Sequence, residues 1–158
     1  MKSPVVFFDL DDTLLDYTSA MRTAAGLFYA DHLDAFAEFS IDSFLTLWES
    51  LAAEFSRKAL AGEVSWPAQQ RLRMQELFRR AGRSISPGQA EELFGQFLAD
   101  FRANWRPFPD VLPTLDAVAG HRLGVISNGE PAQQHGKLLA MGIADRFAAV
   151  VVSGEIGV

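Results

Sequence analysis

Cysteine is missing from all 158 residues, which excludes disulfides and thiolate metal sites. Long apolar runs are missing too. No stretch approaches the ~20 residues of a membrane span. The Val5–Phe8 run is too short for the core of a secretory signal and meets Asp9, Asp11 and Asp12 at once. A surplus of basic charge is also lacking: 14 Lys and Arg stand against 20 Asp and Glu, a formal net charge of −6. That balance disfavours a polyanionic partner such as nucleic acid, although a small anion needs only a local site. Repeats, low-complexity tracts and evident linkers are absent. What remains is globular in character, 49% hydrophobic and 22% charged, with 13 Phe and 3 Trp to fill a core. The expectation is a cytoplasmic protein with neither membrane nor nucleic acid as partner.

The chain divides by periodicity. Val5-Val6-Phe7-Phe8 is continuous, β-branched and aromatic, and reads as a parallel strand buried on both faces. Residues 16–105 carry four apolar stripes at helical spacing: Met21 to Phe28, Ile41 to Phe55, Met74 to Ala81, and Ala90 to Phe101. The last has a written start, with Ser86 as N-cap, Pro87 at the first helical position and Gln89 closing a capping box. Four such helices in a row predict a small bundle. After Pro107, Pro109 and Pro113 the pattern alternates: a helix capped by Asp110 and ending near Gly120, a strand over Leu123–Ile126, a helix from Pro131 to near Gly142, a strand over Ala148–Val152, and a loop over 153–158. Strands alternating with helices predict a parallel sheet with right-handed crossovers. The gap between the first two strands far exceeds the dozen or so residues of a crossover. The expected organisation is therefore an α/β core of residues 1–15 and 106–158 with a helical module, 16–105, inserted in it.

Two short segments carry chemistry. Asp9 and Asp11 follow a buried strand, where parallel sheets bind ligands. Two carboxylates there suit Mg2+, nucleophilic attack on phosphorus, and proton transfer to and from oxygen. Taken alone they equally describe a polar turn, since Asp is favoured after strands for local reasons. Ser127-Asn128-Gly129 ends the second strand. Its hydroxyl and the amides of Asn128 and Gly129, helped by the start of the next helix, suit the oxygens of a phosphoryl group. Ser-Asn-Gly is also a common turn.

Together, Phe8-Asp9-Leu10-Asp11-Asp12-Thr13-Leu14-Leu15 and Val125-Ile126-Ser127-Asn128-Gly129 resemble the first two motifs of the haloacid dehalogenase (HAD) superfamily, and the whole chain follows its order of elements. The resemblance implies an α/β, parallel-sheet, HAD-like Rossmannoid core with an inserted α-helical bundle of the type called a C1 cap. It implies Asp9 as nucleophile and Mg2+ ligand. Asp11 would be the general acid/base and would lend its backbone carbonyl to the metal. Thr13 would stabilise the turn, and Ser127, Asn128 and Gly129 would hold the substrate phosphate. A second Asp two residues on marks the phosphatases of the family, so a small phosphomonoester of the kind used by nucleotidase-like or phosphoglycolate-phosphatase-like members is expected, through an aspartyl-phosphate.

The family's third motif, a Lys after a loop like 153–158, and its fourth, an acidic pair after the next strand, are not in these residues. The expected core is thus C-terminally incomplete. Lys137 is assigned to the wrong helix to replace the missing Lys, and Glu155 is a poor substitute for the acidic ligand. Val5–Phe8 becomes an apolar edge through which a homo-oligomer would form. A second hypothesis stays open: a catalytically inactive HAD-fold fragment serving as a binding protein. In the helical block, Trp48 is expected in the core. Arg71, Arg73, Arg79, Arg80 and Arg83 are expected on a solvated face. His32, His121 and His135 are expected at surface or helix-end positions.

Overall fold

The computed structural model describes residues 4–156. Its element order is β1 (Val5–Phe8), α1 (Tyr17–Asp31), α2 (Ile41–Leu60), α3 (Trp66–Arg80), α4 (Pro87–Ala103), α5 (Val111–Ala117), β2 (Arg122–Ser127), α6 (Pro131–Ala140), a 3-10 turn (Ala144–Arg146), β3 (Ala149–Val152) and α7 (Ser153–Ile156). The chain forms two compact units: Met1–Ala20 with Trp105–Val158, and Met21–Asn104. No helix among the described residues is long and apolar enough to cross a membrane.

The first unit is built on a three-stranded parallel sheet in the order β1-β2-β3. Phe8 pairs with Val125, and Ser127 with Val152. The strand tips that carry the two motifs are thereby neighbours. Leu123, Val125 and Val152 fill the covered face. The other face is open, with Val5, Phe7 and Ile126 each about half exposed, at 49%, 51% and 53%. The expectation that β1 is buried on both faces is therefore wrong for the described residues. Two same-handed crossovers stepping in one direction place their helices on a single face.

Local capping sets the helices. Ser40, Ser65 and Ser86 accept hydrogen bonds from the amides of Ser43, Ala68 and Gln89. At α4 the capping box is complete, as Gln89 accepts in return from the Ser86 amide. Asp110 precedes α5 but makes no side-chain cap, and α5 stops at Ala117 rather than near Gly120. Gly142, with φ of 68°, turns the chain out of α6. Residues 153–156 form a short helix where a loop was expected; Gly157 and Val158 lie outside the described residues.

The second unit packs aromatic rings. Trp48 lies 4.5 Å from Phe97, and Phe36, fully buried between α1 and α2, sits 4.9 Å from Phe44 and 5.1 Å from Phe78. Such pairs add about 0.5–1.5 kcal/mol each beyond area burial. Arg73 departs from the solvated face: it is buried, its guanidinium 5.6 Å from the Trp48 ring and 5.1 Å from the Phe94 ring. Its long stem and flat cation let it join an aromatic core that a Lys would enter less readily.

Candidate functional site

The turn after β1 is rigid for local reasons. The carbonyl of Leu10 accepts from the amides of Thr13, Leu14 and Leu15. Leu10 and Leu15 are fully buried and pin the turn from below. Asp12 takes the left-handed conformation, φ 56°, and its carboxylate accepts from both the amide and the hydroxyl of Thr18 at 2.8 Å. Asp12 is thus spent on capping the first turn of α1. Asp9 stays exposed at the strand tip. Thr13 lines a shallow cavity with Phe8, Leu14, Asp110, Val111 and Thr114.

The turn after β2 is tied to it by α6. Gln134 is buried, and its side-chain nitrogen stands 2.7 Å from Ser127 Oγ, 2.9 Å from the Asn128 carbonyl and 3.1 Å from Asp11 Oδ2. One helical turn on, Lys137 Nζ donates to both oxygens of Asp11, at 2.7 and 2.8 Å, and lies 5.1 Å from the centre of the Tyr17 ring. Residues three apart share a helix face, so α6 aims an amide and an ammonium at the same carboxylate. Lys137, expected on the wrong helix to replace the family's Lys, still reaches the site: α6 brings its ammonium to Asp11. The missed signal was the spacing of Gln134 and Lys137 within a helix that starts beside the second motif.

Lys137 is 1% exposed, against 30% for the Asp11 side chain. Burial pushes its ammonium below the usual lysine range, while Asp11 and, to a lesser degree, Asp9 and Asp12 pull it back up. An isolated buried ammonium costs several kcal/mol. Three carboxylates clustered at one loop tip are what make it tolerable here.

The structure thus brings Asp11, Ser127 and Asn128 together, with Asp9 at the neighbouring strand tip. Gly129 adopts φ of 139°, and its amide donates to Ser153 Oγ at 3.2 Å. The amides of Ala132 and Gln133 at the start of α6 are taken by the Glu130 carboxylate. The expected help from that helix start is therefore occupied from within the chain. Glu155 pairs with His135 at 2.8 Å, both partly exposed, while His32 stacks on Phe28 and bonds its carbonyl. Among the described residues no group of three or more His, Asp or Glu side chains is gathered for a metal ion.

Residues 4–158 match the family model described as "Hydrolase: haloacid dehalogenase-like hydrolase". The chain is 26% identical over 159 residues to pyrimidine 5'-nucleotidase YjjG of Escherichia coli, aligning 100% of this chain with 66% of that protein. It is 30% identical over 158 residues to glyceraldehyde 3-phosphate phosphatase of Methanothermobacter thermautotrophicus, covering 96% of this chain and 63% of that one. The chain thus spans slightly under two thirds of the length of these relatives. Among solved structures, the HAD-hydrolase YfnB from Bacillus subtilis bound to magnesium shares its fold, with a TM-score of 0.75 at 19% identity, over 99% of this chain and 68% of that one.

Proposed function

Since the chain belongs to the haloacid dehalogenase-like hydrolase family, we propose that it serves a phosphatase that hydrolyses small phosphomonoesters through an aspartyl-phosphate on Asp9. The observation that carries this reading is the bridge made by Gln134, within 3.1 Å of Asp11 and 2.7 Å of Ser127. One nitrogen reaches both strand tips, which supports a single small group touching both. The two curated relatives are named for small phosphorylated metabolites, which supports that substrate class.

In this mechanism an oxygen of Asp9 attacks phosphorus while the ester oxygen leaves with its electron pair and takes a proton from Asp11, which acts as the free acid with one of its oxygens released by Lys137. Water then attacks the same phosphorus and gives its proton to Asp11, and the bond to Asp9 breaks, restoring the carboxylate. The Ser127 hydroxyl and the Asn128 amide would hold the non-bridging oxygens. The Gly129 amide joins them only by releasing Ser153. The insertion, residues 16–105, would select the substrate.

Hard oxygen donors suit Mg2+ in kind. The Asp9 carboxylate and the Asp11 backbone carbonyl would hold it. Bound there, it would neutralise charge on the transferring group.

The test is hydrolysis of p-nitrophenyl phosphate with Mg2+. Chelation should abolish it, added Mg2+ restore it, and Asp9→Asn remove it by at least a thousandfold; turnover that survives Asp9→Asn would end the proposal. A second reading, a silent protein that keeps the fold to bind a partner, draws on the full engagement of Asp11 by Lys137. A folded wild-type chain with no turnover would favour it.

A further inference from the structure

Nothing in the proposed reaction uses Lys137 or Gln134, yet both are buried and both end on the group that moves the proton. Three features set them apart from ordinary core polar residues. Lys137 reaches both oxygens of Asp11 rather than one. Gln134 touches Asp11 on one strand tip and Ser127 and Asn128 on the other. Both sit on one face of α6, which the Glu130 cap anchors at the start and Gly142 ends. A carboxylate on a surface turn would otherwise sample several rotamers. Held from two sides, it has one.

Resting on the phosphatase reading, we propose that Lys137 and Gln134 are positioning residues that fix the Asp11 carboxylate against the tip of β2 for proton transfer. In this role they act through Asp11 and not on the reacting phosphorus. A misplacement of about 1 Å is enough to cost on the order of a hundredfold in rate.

The experiment is a double-mutant cycle on the full chain with p-nitrophenyl phosphate, checked for folding by circular dichroism. Lys137→Met should lower kcat at least tenfold and leave KM within about twofold. Lys137→Arg, which keeps the charge, should recover part of the loss, and Gln134→Met should show a smaller loss. In an Asp11→Asn background Lys137→Met should have no further effect, because the group it positions is gone. A merely structural lysine would lower kcat by the same factor in both backgrounds, and that outcome overturns the proposal. So does wild-type kcat in Lys137→Met while Asp9→Asn is inactive, which leaves the phosphatase reading intact. If wild type and Asp9→Asn hydrolyse equally, the phosphatase reading fails and this one with it. One arm needs no turnover: the side-chain amide signals of Gln134 in an NMR spectrum should shift on Asp11→Asn. Unmoved signals would overturn the contact itself.

Discussion

At the scale of single residues, the site is made by exceptions. Asp12 accepts a left-handed backbone because its carboxylate gains two partners on Thr18. Gly129 needs no such compensation, having no side chain. Its φ of 139° is closed to other residues, and a Cβ there would stand 3.2 Å from the side chain of Gln134. Gly129→Ala is therefore expected to destabilise the first unit by about 1–3 kcal/mol and to loosen the Gln134 bridge. Gly26 in α1 is the control, since a Cβ there meets nothing within 4 Å and its φ is ordinary. Gly26→Ala should stabilise by about 0.5–1 kcal/mol. Chemical denaturation of the two variants beside wild type reads both signs; equal behaviour would show that neither the conformation nor the contact matters.

Elements differ in how openly the sequence declares them. The α4 capping box stood in Ser86, Pro87 and Gln89 because each bond there is local. The tips of β1 and β2 were legible for a related reason: short apolar strands end where polar residues begin. Lys137 and Arg73 were misjudged because tertiary contacts decide them. The partner of Lys137 lies 126 positions away at Asp11, and the rings beside Arg73 belong to α2 and α4. The open face of β1 was missed because four residues cannot say what covers them. Where charge lies along a single helix, prediction is easier. On α3, Glu76 meets Arg79 and Arg80 at 2.6 and 2.7 Å, and the Arg79 hydrogen bond, helped by Arg80 and opposed by burial, holds its carboxyl down at about 2. A depressed carboxyl stabilises the fold above its unfolded value of 4.5 and loses that contribution as pH falls toward about 2. Both arginines are at least half exposed, at 64% and 50%, so solvent screening limits the gain to about 1 kcal/mol or less. Glu76→Gln should melt lower than wild type at pH 7, and the gap should narrow steadily below pH 4.5. A gap that stays constant with pH would assign the effect to packing instead of charge.

Over the whole molecule, the first unit leaves unfinished what a parallel sheet ordinarily completes. Such sheets are covered on both faces. Here Val5, Phe7 and Ile126 lie on the open one, and in register beside them run Arg122, Gly124, Ala149 and Val151. β1 is also an edge, with backbone groups on its outer side that no other described strand pairs. Apolar area left in water costs roughly 25 cal/mol per Å2, so a second copy meeting this face would recover a few kcal/mol before the entropy of association is counted. The 158-residue chain is therefore expected to associate only weakly with itself, with a Kd of about a millimolar or above. Phe7→Lys places a charge on the open face and should hold the protein monomeric without unfolding it, since Phe7 is already 51% exposed. Sedimentation velocity across a hundredfold range of concentration separates the outcomes. A wild-type coefficient that climbs with concentration, and a Phe7→Lys coefficient that does not, would place the contact on the face. A wild-type coefficient that never moves would overturn the expected association, the net charge of −6 then outweighing the exposed apolar side chains.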